Sequence, residues 1–417
     1  MAEIKPVVMT PDDNARAYAD SSAPAREEEG RLAFHSTDEM RRLATPWPVA
    51  LARAKLLESC EIPPGVVLDP ACGSAIQLSA LCSVLNRPGL GIELSGAAAP
   101  LAAINLERCA AWAGQEWGDL SRVLWGDGIA ADSILQTYHQ SIGASSPIAL
   151  LHIDPARPQN AQQHTLDEMQ PRLDQLLSAW APFLAKGPAL ILDLSPRLSD
   201  AQRMEVEGII SSIWGDVDRT WQWMTQGRGR VDRLSLWVGS CSGPQPNRLV
   251  RLSKDGGVSS LSGVQEAPLV DEGSNEIGQF LTIVDPCLVA SGLAESWRVS
   301  AIGGEDSRWM KLTGRRPVFV SANSISEQKD VRDFVQITGR VIQTVSDVSF
   351  ESLEEVAETA NSAGVSSLKL RCQIDPDIQP KLQSAFDQKM KELSPQSNET
   401  QGFITESAEG YVICHRM

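Results

Sequence analysis

Residues 66–75 of the chain read VVLDPACGSA, and this stretch decides the fold class. A short apolar run typical of a buried strand ends in the acid Asp69, a turn of small residues follows, and a helix begins after the turn. Small residues let a ligand approach the backbone closely, and the start of a helix presents amide groups and a positive dipole. The stretch therefore predicts the first strand, turn and helix of a doubly wound α/β fold, with a ligand site at the turn.

Short apolar runs alternate with segments of helix length from this point onward. The runs lie at residues 66–68, 90–92, 122–124, 148–153 and 189–192, and two further β-like runs follow at 220–225 and 233–238. The alternation predicts a parallel sheet covered by helices, and the last two runs predict an antiparallel pair at its end. This α/β arrangement is the Rossmann-like layout of class I methyltransferases, which we expect here.

Three acids occupy the ends of three successive predicted strands: Asp69, Glu93 and Asp127. An acid at the first strand end would repel the pyrophosphate of a dinucleotide, but it suits the ammonium and sulfonium groups of S-adenosylmethionine (SAM). Glu93 stands about 20 residues after the first loop, where such folds hold an adenosine ribose by its hydroxyl groups. Asp127 stands where class I methyltransferases commonly place an acid that contacts adenine.

A single acid at such a position is more often a helix cap than a ligand. Three acids at successive strand ends, all on one edge of the sheet, indicate a cofactor site instead. The sequence therefore predicts S-adenosyl-L-methionine as the cofactor. The predicted cofactor-binding residues are Asp69, Cys72, Gly73, Glu93, Asp127 and Gly128.

The fourth strand leads into residues 150–158, which read LLHIDPARP. This segment resembles the (D/N)PP(Y/F/W/R) motif of methyltransferases that act on nucleobases, in which the first residue accepts a hydrogen bond from the target amino group. The resemblance implies catalytic roles for Asp154, Pro155 and Arg157. Arg157 replaces a base-stacking aromatic, and it would stack on a base, hold a phosphate or form a structural salt bridge. We expect His152, inside the strand, to be a core packing residue.

The chain from about residue 44 to its end resembles class I SAM-dependent methyltransferases with a C-terminal THUMP-like domain. The resemblance rests on the segments DPACG, IELSGAAAPLAAIN, HIDPAR, LDLSPRLSD, RVDRLSLWVG, FLTIVDP and LKLRCQIDP, which occur in this order. It implies RNA binding by the second domain. The acceptor that we expect is a base nitrogen of structured RNA, tRNA or rRNA. The chain departs from the family at Pro158, where a second basic residue is usual, and at Arg228 and Arg230, where acids are usual.

Changes in composition divide the chain into four predicted segments. An N-terminal helical segment covers residues 1–60, and its polar residues 1–30 are expected to be frayed. The methyltransferase domain covers residues 61–240, and a hairpin with a linker covers residues 241–273. A smaller α+β, THUMP-like domain covers residues 274–417.

The 417-residue chain carries a formal net charge of −16, so its composition gives no support to an RNA partner. It has no apolar stretch long enough to cross a membrane and no apolar secretory leader. Its eight cysteines include no CxxC pair, which is typical of a reducing compartment, and its five histidines lack the spacing of metal ligands. We therefore expect a cytoplasmic protein without a metal ion.

Two alternative functions stay open. The methyl acceptor could be a protein or a small molecule, which the acidic charge and the missing aromatic after DPA favour. The chain could also bind SAM or RNA without catalysis, although the three acids together with the DPAR segment argue against this reading.

Overall fold

The structure is a computed structural model that describes residues 4–27, 32–155, 166–184, 188–227, 229–271, 273, 276–303, 306–394 and 400–417. The chain divides into two compact units. The first unit comprises Met1–Met224, Asp232–Pro246 and Leu252–Val258. The second unit comprises Thr225–Val231, Asn247–Arg251 and Ser259–Met417.

The first unit is built on a long mixed sheet. The strands of the first unit are β1 (Val7–Val8), β2 (Arg26–Glu27), β3 (Ala33–Phe34), β4 (Val66–Asp69), β5 (Gly89–Glu93), β6 (Arg122–Trp125), β7 (Ile148–Ile153), β8 (Ala189–Leu194), β9 (Arg219–Thr225) and β10 (Arg233–Gly239). Strands β2 and β3 form a separate short pair, and the others belong to the long sheet. The hydrogen-bonded order is β1-β6-β5-β4-β7-β8-β10-β9. Strands β4 to β8 are parallel to one another, and β10 runs antiparallel between β8 and β9.

This order confirms the Rossmann-like, doubly wound sheet with an antiparallel end that the sequence predicted. The chain adds β5 and β6 on one side of β4, and then crosses to add β7 and β8 on the other side. Ligands of doubly wound sheets bind beyond the carboxyl ends of the strands where the order reverses, which here is between β4 and β7. Every residue of β4, β7 and β8 is buried, as expected for parallel strands covered on both faces.

Helices of the first unit connect these strands. Within the described ranges they are α1 (Asp13–Ser22), α2 (Asp38–Leu43), α3 (Trp47–Leu56), α4 (Ile76–Leu85), α5 (Ala99–Ala113), α6 (Ala131–Ile142), α7 (Leu173–Trp180) and α8 (Asp200–Trp214). Buried residues of α3, α4 and α5 form one apolar cluster with residues of β4 and β7. α4 starts directly after the turn that follows β4, so its first residues lie at the carboxyl edge of the sheet.

The N-terminus is structured where the sequence predicted a frayed segment. β1 pairs antiparallel with β6 and thereby covers an edge of the sheet. Asp12 caps α1 by accepting a hydrogen bond from the backbone N–H of Ala15 at 2.8 Å. Ala19 of α1 is fully buried in a cluster that includes two residues of α5. The frayed prediction is therefore wrong for residues 4–27.

The second unit contains a seven-stranded sheet and five helices within the described ranges. A hairpin of β11 (Asn247–Leu252) and β12 (Val258–Gly263) precedes this sheet in the chain. The elements that follow are β13 (Phe280–Val284), α9 (Cys287–Ala290), α10 (Ala294–Ile302), β14 (Ser307–Lys311), β15 (Val318–Ser321), α11 (Lys329–Arg332), β16 (Val335–Val345), α12 (Leu353–Ser362), β17 (Ser367–Leu370), α13 (Gln379–Leu393), β18 (Gln401–Glu406) and β19 (Tyr411–Arg416). The sheet order is β14-β15-β13-β16-β19-β18-β17. β17 and β18 are parallel, and the other neighbours are antiparallel.

α12 and α13 pack on this second sheet through an apolar cluster that includes Ile404 and Ile413. The hairpin predicted within residues 241–273 is present as β11 and β12, and its turn closes with a hydrogen bond from Ser253 N–H to the Gly257 carbonyl at 2.9 Å. Among the described residues, no helix has both the length and the apolar character needed to span a membrane.

Candidate functional site

Four acids stand in a row at one edge of the first sheet. Asp69 ends β4 and Glu93 ends β5, while Asp127 lies two residues after β6 and Asp154 directly follows β7. The spatial order of these strands is β6, β5, β4, β7, and all four are parallel. The fold therefore brings together, at the switch point of the sheet, the acids that the sequence singled out.

Backbone contacts join the loops that carry these acids. Cys72 donates its backbone N–H to the carbonyl of Ile92 at 2.9 Å, and Gly126 donates to the carbonyl of Glu93 at 3.1 Å. Gly128 lies so close to the turn after β4 that an added Cβ atom would stand 2.1 Å from the Pro70 carbonyl oxygen. The predicted residue Gly128 thus has a steric role, because it lets the loop after β6 approach the turn after β4.

Glu93 presents a carboxylate that the backbone holds in place. Its Oε1 accepts a hydrogen bond from the Ser95 N–H at 2.8 Å, and the Gly73 amide also contacts the carboxylate. Burial raises the pKa of Glu93, while the amides of Ser95 and Gly73 lower it. Two backbone donors therefore fix the orientation of an acid that is only partly buried.

Gly73 leaves the turn open on the side facing away from the protein. Its φ of +51° is a left-handed conformation that favours glycine, and an added Cβ atom would meet nothing within 4 Å. Because the adjacent helix α4 has no side-chain cap at its start, its first amides are not satisfied by a capping side chain. A ligand has room to approach the backbone at this point.

Asp69 and Cys72 are buried beneath the turn. Asp69 is 2% exposed, and its Oδ1 accepts a hydrogen bond from the Ala71 N–H at 3.1 Å. Burial, followed by the charges of Asp69 and Glu93, raises the pKa of the Cys72 thiol well above its usual value. The Cys72 sulfur packs against Gly91 of β5, where an added Cβ atom would lie 2.9 Å from it. Both predicted residues therefore shape the turn from below.

Asp127 is partly exposed, and its Oδ1 accepts a hydrogen bond from the Ile129 N–H at 3.2 Å. Beside it lies an apolar surface that the sequence analysis missed. Leu94, next to Glu93, is 59% exposed, and the indole Nε1–H of Trp125 donates to the Leu94 carbonyl at 3.1 Å. The available signal was Leu94 directly after Glu93 and Trp125 two residues before Asp127.

His152 is the buried core histidine that the sequence predicted, and its partners are charged. It is 1% exposed as a core residue would be, but its ring lies between two buried carboxylates. Nδ1 stands 2.9 Å from Asp69 Oδ2, and Nε2 stands 3.3 Å from Asp193 Oδ2. Burial lowers the pKa of His152, but the two acids outweigh burial and raise it from 6.5 to about 9. The imidazole is therefore a cation near neutral pH, with both nitrogens donating.

A buried arginine completes this group. Arg53 of α3 is 4% exposed, and its two terminal nitrogens donate to the two oxygens of Asp193 at 2.7 and 2.5 Å. Burial opposes the charged form of Asp193, but Arg53 and His152 dominate and lower its pKa below the usual range. The sequence analysis named neither Arg53 nor Asp193, and only the acid inside the apolar run of β8 signalled an unusual core.

Asp154 is connected to this group through Gln77. The Nε2 of Gln77, in the first turn of α4, donates to Asp154 Oδ2 at 2.7 Å, and its Oε1 accepts a hydrogen bond from Arg53. Burial and then the charge of Asp193 raise the pKa of Asp154, while Arg233, His152 and Arg53 lower it.

The other predicted catalytic residues are placed only in part. Pro155 is buried directly after Asp154. Arg157 and Arg228 lie outside the described residues, so the role of Arg157 stays a prediction. All eight cysteines lie within the described ranges, and none forms a disulfide. In the same ranges, no group of three or more His, Cys, Asp or Glu side chains is arranged to hold a metal ion.

No family model and no curated protein matches this sequence. Among solved structures, a Listeria monocytogenes protein assigned to the class I SAM-dependent methyltransferases is 16% identical, with a TM-score of 0.34, over 50% of this chain and 65% of that one. A Clostridium thermocellum protein assigned as an rRNA methylase is 12% identical, with a TM-score of 0.31, over 45% and 94% of the two chains. The O-methyltransferase TomG of Streptomyces achromogenes, solved with SAM, is 17% identical, with a TM-score of 0.33, over 56% and 92%. At these scores the likenesses assign neither cofactor nor substrate.

The raised pKa of His152 predicts a pH-dependent stability. A pKa raised from 6.5 to about 9 on folding stabilises the protein fully below pH 6.5, and this contribution is lost as the pH rises through 9. Between pH 6 and 10, the wild type should lose roughly 3 kcal/mol more unfolding free energy than His152→Gln, as measured by urea denaturation.

A matched control is His139→Gln, because the His139 ring bonds the Ser146 backbone instead of an acid. This variant should keep the pH dependence of the wild type. If the unfolding free energy changed with pH equally in the wild type and in His152→Gln, the assignment of a buried imidazolium would be contradicted.

Proposed function

We propose that this chain is a SAM-dependent methyltransferase. The observation that carries the proposal is the row of acids at the carboxyl ends of four adjacent parallel strands, with the turn at Gly73 open in front of it. The donor set fits SAM, because a partly exposed carboxylate suits ribose hydroxyls and an exposed apolar surface suits adenine. An acid beneath the turn would also repel a phosphate-bearing cofactor.

The residues of the first unit divide the binding task. Glu93 is proposed to accept hydrogen bonds from the ribose hydroxyls, since two backbone amides already hold its carboxylate in place. Leu94 and Trp125 offer an apolar surface for the adenine ring, and Asp127 accepts from its amino group. Gly73 lets the amino-acid part reach the backbone. Asp69 and Cys72 act indirectly, by holding the turn in shape.

Asp154 is proposed to orient the methyl acceptor. SAM, when bound, supplies a methyl group activated by the positive sulfonium. Asp154 accepts a hydrogen bond from an N–H group of the acceptor, which directs the nitrogen lone pair toward that methyl group for in-line displacement. The methyl–sulfur bond would break to leave a neutral thioether, and the proton of the acceptor nitrogen would pass to Asp154. Pro155 limits the motion of the loop, and Arg157 is proposed to contact the acceptor. Such a reaction requires mainly positioning and exclusion of water.

We propose a base nitrogen of structured RNA, tRNA or rRNA, as the acceptor. The likeness of HIDPAR to nucleobase-methylating motifs supports this choice. The THUMP-like reading of the C-terminal domain gives the second unit an RNA-binding role. The proposal includes a cytoplasmic location, in keeping with cysteines that form no disulfide.

Three arginines of the second unit support binding of a phosphate backbone. Arg316 donates to the carbonyl of Cys372, next to Arg371, and Arg416 donates to Gln401 at 2.5 Å. Burial lowers the pKa of Arg371, and the charges of Arg316 and Arg416 lower it further. The Nε of Arg371 is buried and has no hydrogen-bond partner among the described residues. A bound phosphate would relieve the repulsion among the three cations.

A protein or small molecule is the alternative acceptor. The net charge of −16 favours it, because nucleic-acid affinity depends largely on neutralising phosphates. A non-catalytic SAM- or RNA-binding role is the third candidate, and the position of Asp154 beside the cofactor edge disfavours it.

Glu93→Ala should weaken SAM binding by roughly 1.5–3 kcal/mol, about 10- to 150-fold in Kd, because a charge-assisted hydrogen bond is lost. Isothermal titration calorimetry measures this directly. Glu116→Ala is the control, since Glu116 is exposed in a short helical turn that precedes β6, at the opposite edge of the sheet. Unchanged SAM affinity in Glu93→Ala would remove Glu93 from the site.

The wild type should transfer tritiated methyl groups from SAM to bulk tRNA or rRNA from a strain that lacks this gene. Asp154→Asn should slow this transfer at least about 100-fold while SAM affinity stays nearly unchanged, because Asp154 acts on the acceptor. Asp119→Asn, exposed before β6, should be as active as the wild type. Label that appears in protein and not in RNA would favour the alternative acceptor.

Arg371→Ala should weaken binding of bulk tRNA by about tenfold and reduce the slope of log K against log salt concentration by about 1. Filter binding at two salt concentrations measures both quantities. Arg298→Ala is the matched control in the same unit, because Glu295 already pairs with Arg298 at 2.6 Å. Identical affinity and salt slope in Arg371→Ala and the wild type would exclude this cluster from RNA binding.

A further inference from the structure

We propose that Gln77 is a positioning residue for Asp154, and that Arg53 fixes Gln77 in the orientation this role requires. The inference rests on the proposed methyl transfer and adds to it the residues that control the acceptor-binding carboxylate. It assigns a catalytic purpose to the N-terminal helix α3, which supplies Arg53 and lies before the cofactor-binding strands.

The chemistry of the three side chains determines the direction of the amide. Arg53 only donates hydrogen bonds and ionised Asp154 only accepts them, so Gln77 must direct its oxygen toward Arg53 and its nitrogen toward Asp154. The structure has this arrangement, with Gln77 Oε1 against Arg53 Nη1 and Gln77 Nε2 2.7 Å from Asp154 Oδ2. A flipped amide would direct the Gln77 nitrogen at the Arg53 donor and the Gln77 oxygen at the Asp154 acceptor.

Arg53 is held rigidly on its other side. Its guanidinium binds both oxygens of Asp193, and the imidazole of His152 contacts the same acid. His152 in turn reaches Asp69, whose Oδ1 supports the turn at the cofactor edge. One continuous chain of hydrogen bonds therefore runs from the turn after β4 to the acid after β7.

This series of hydrogen bonds explains how the Asp154 carboxylate is oriented. Gln77 donates to Oδ2 of Asp154, and in this proposal the other oxygen, Oδ1, faces the acceptor. The charged groups that act on Asp154 are Asp193, which opposes its ionisation, and Arg233, His152 and Arg53, which favour it. The neutral amide of Gln77 lets Asp154 accept a hydrogen bond without placing another charge beside it.

The first measurement follows the titration of Asp154 by NMR of the full-length protein labelled with 13C at aspartate carboxyls. The Asp154 signal is the one that disappears in Asp154→Asn. Gln77→Glu places a carboxylate between Arg53 and Asp154, so the Asp154 midpoint should rise by at least about one pH unit. Gln77→Met, which removes the donor without adding charge, should raise it less.

Gln115→Glu is the matched control, because Gln115 is also half-buried and hydrogen-bonded, to Trp117 at 2.6 Å, but lies away from Asp154. In Gln115→Glu the titration midpoint of Asp154 should equal that of the wild type. An unchanged Asp154 midpoint in Gln77→Met would show that the Gln77 amide does not act on Asp154. That result would overturn the proposal whether or not the protein transfers methyl groups.

The second measurement is methyl transfer from tritiated SAM to bulk tRNA. Gln77→Met should lower kcat at least about tenfold, while KM for RNA and the SAM Kd stay within about twofold of the wild type. A shifted midpoint with unchanged kcat would overturn the positioning role. A wild type that methylates no RNA would instead overturn the proposed acceptor, and the NMR titration would still decide whether Gln77 controls Asp154.

Discussion

The ion pair between Arg53 and Asp193, buried in the centre of the first unit, is the interaction on which the candidate site depends. Burying charges is costly unless they are paired and hydrogen-bonded, and this pair is both. His152 brings a second cation and Asp69 a second anion, so the group is electrically balanced. Loss of any one member would leave an unpaired charge in the core, which typically costs about 3–5 kcal/mol.

Replacement of buried ion pairs by apolar residues of similar volume is often neutral or stabilising in proteins, so stability alone does not explain this group. Its members come from α3, β4, β7 and β8, and they reach both the turn after β4 and, through Gln77, the loop after β7. Directional hydrogen bonds give these two loops one relative arrangement. Methyl transfer in particular demands this, because the acceptor atom and the methyl carbon must meet in line.

The sequence predicted most of the sheet because its strands are covered on both faces. Buried parallel strands read as continuous apolar runs, and the run at residues 148–153 coincides with β7. The acids were predictable for a related reason: parallel strands all end at the same edge, so polar residues at successive strand ends converge. The N-terminus was misjudged, since a two-residue strand such as β1 gains its partner only from the tertiary fold.

The buried ionic group could not be predicted in the same way. Arg53 and Asp193 are separated by 140 positions, and neither lies in a motif that signals its partner. His152 was expected to pack in the core, because a single polar residue in a buried strand is most often a packed core residue. Its true partners, Asp69 and Asp193, stand on the two neighbouring strands β4 and β8, and this adjacency exists only once the strand order is known.

A crystal structure of the protein with SAM bound would test the central claim most directly, namely that the carboxyl edge of β4 to β7 is a cofactor site organised by the buried ionic group. The account predicts that the ribose hydroxyls lie within hydrogen-bond distance of Glu93 Oε atoms and that the methyl group faces Asp154. It also predicts that the Arg53–Asp193–His152 contacts are unchanged. SAM bound elsewhere, or bound there with its methyl group directed away from Asp154, would contradict it.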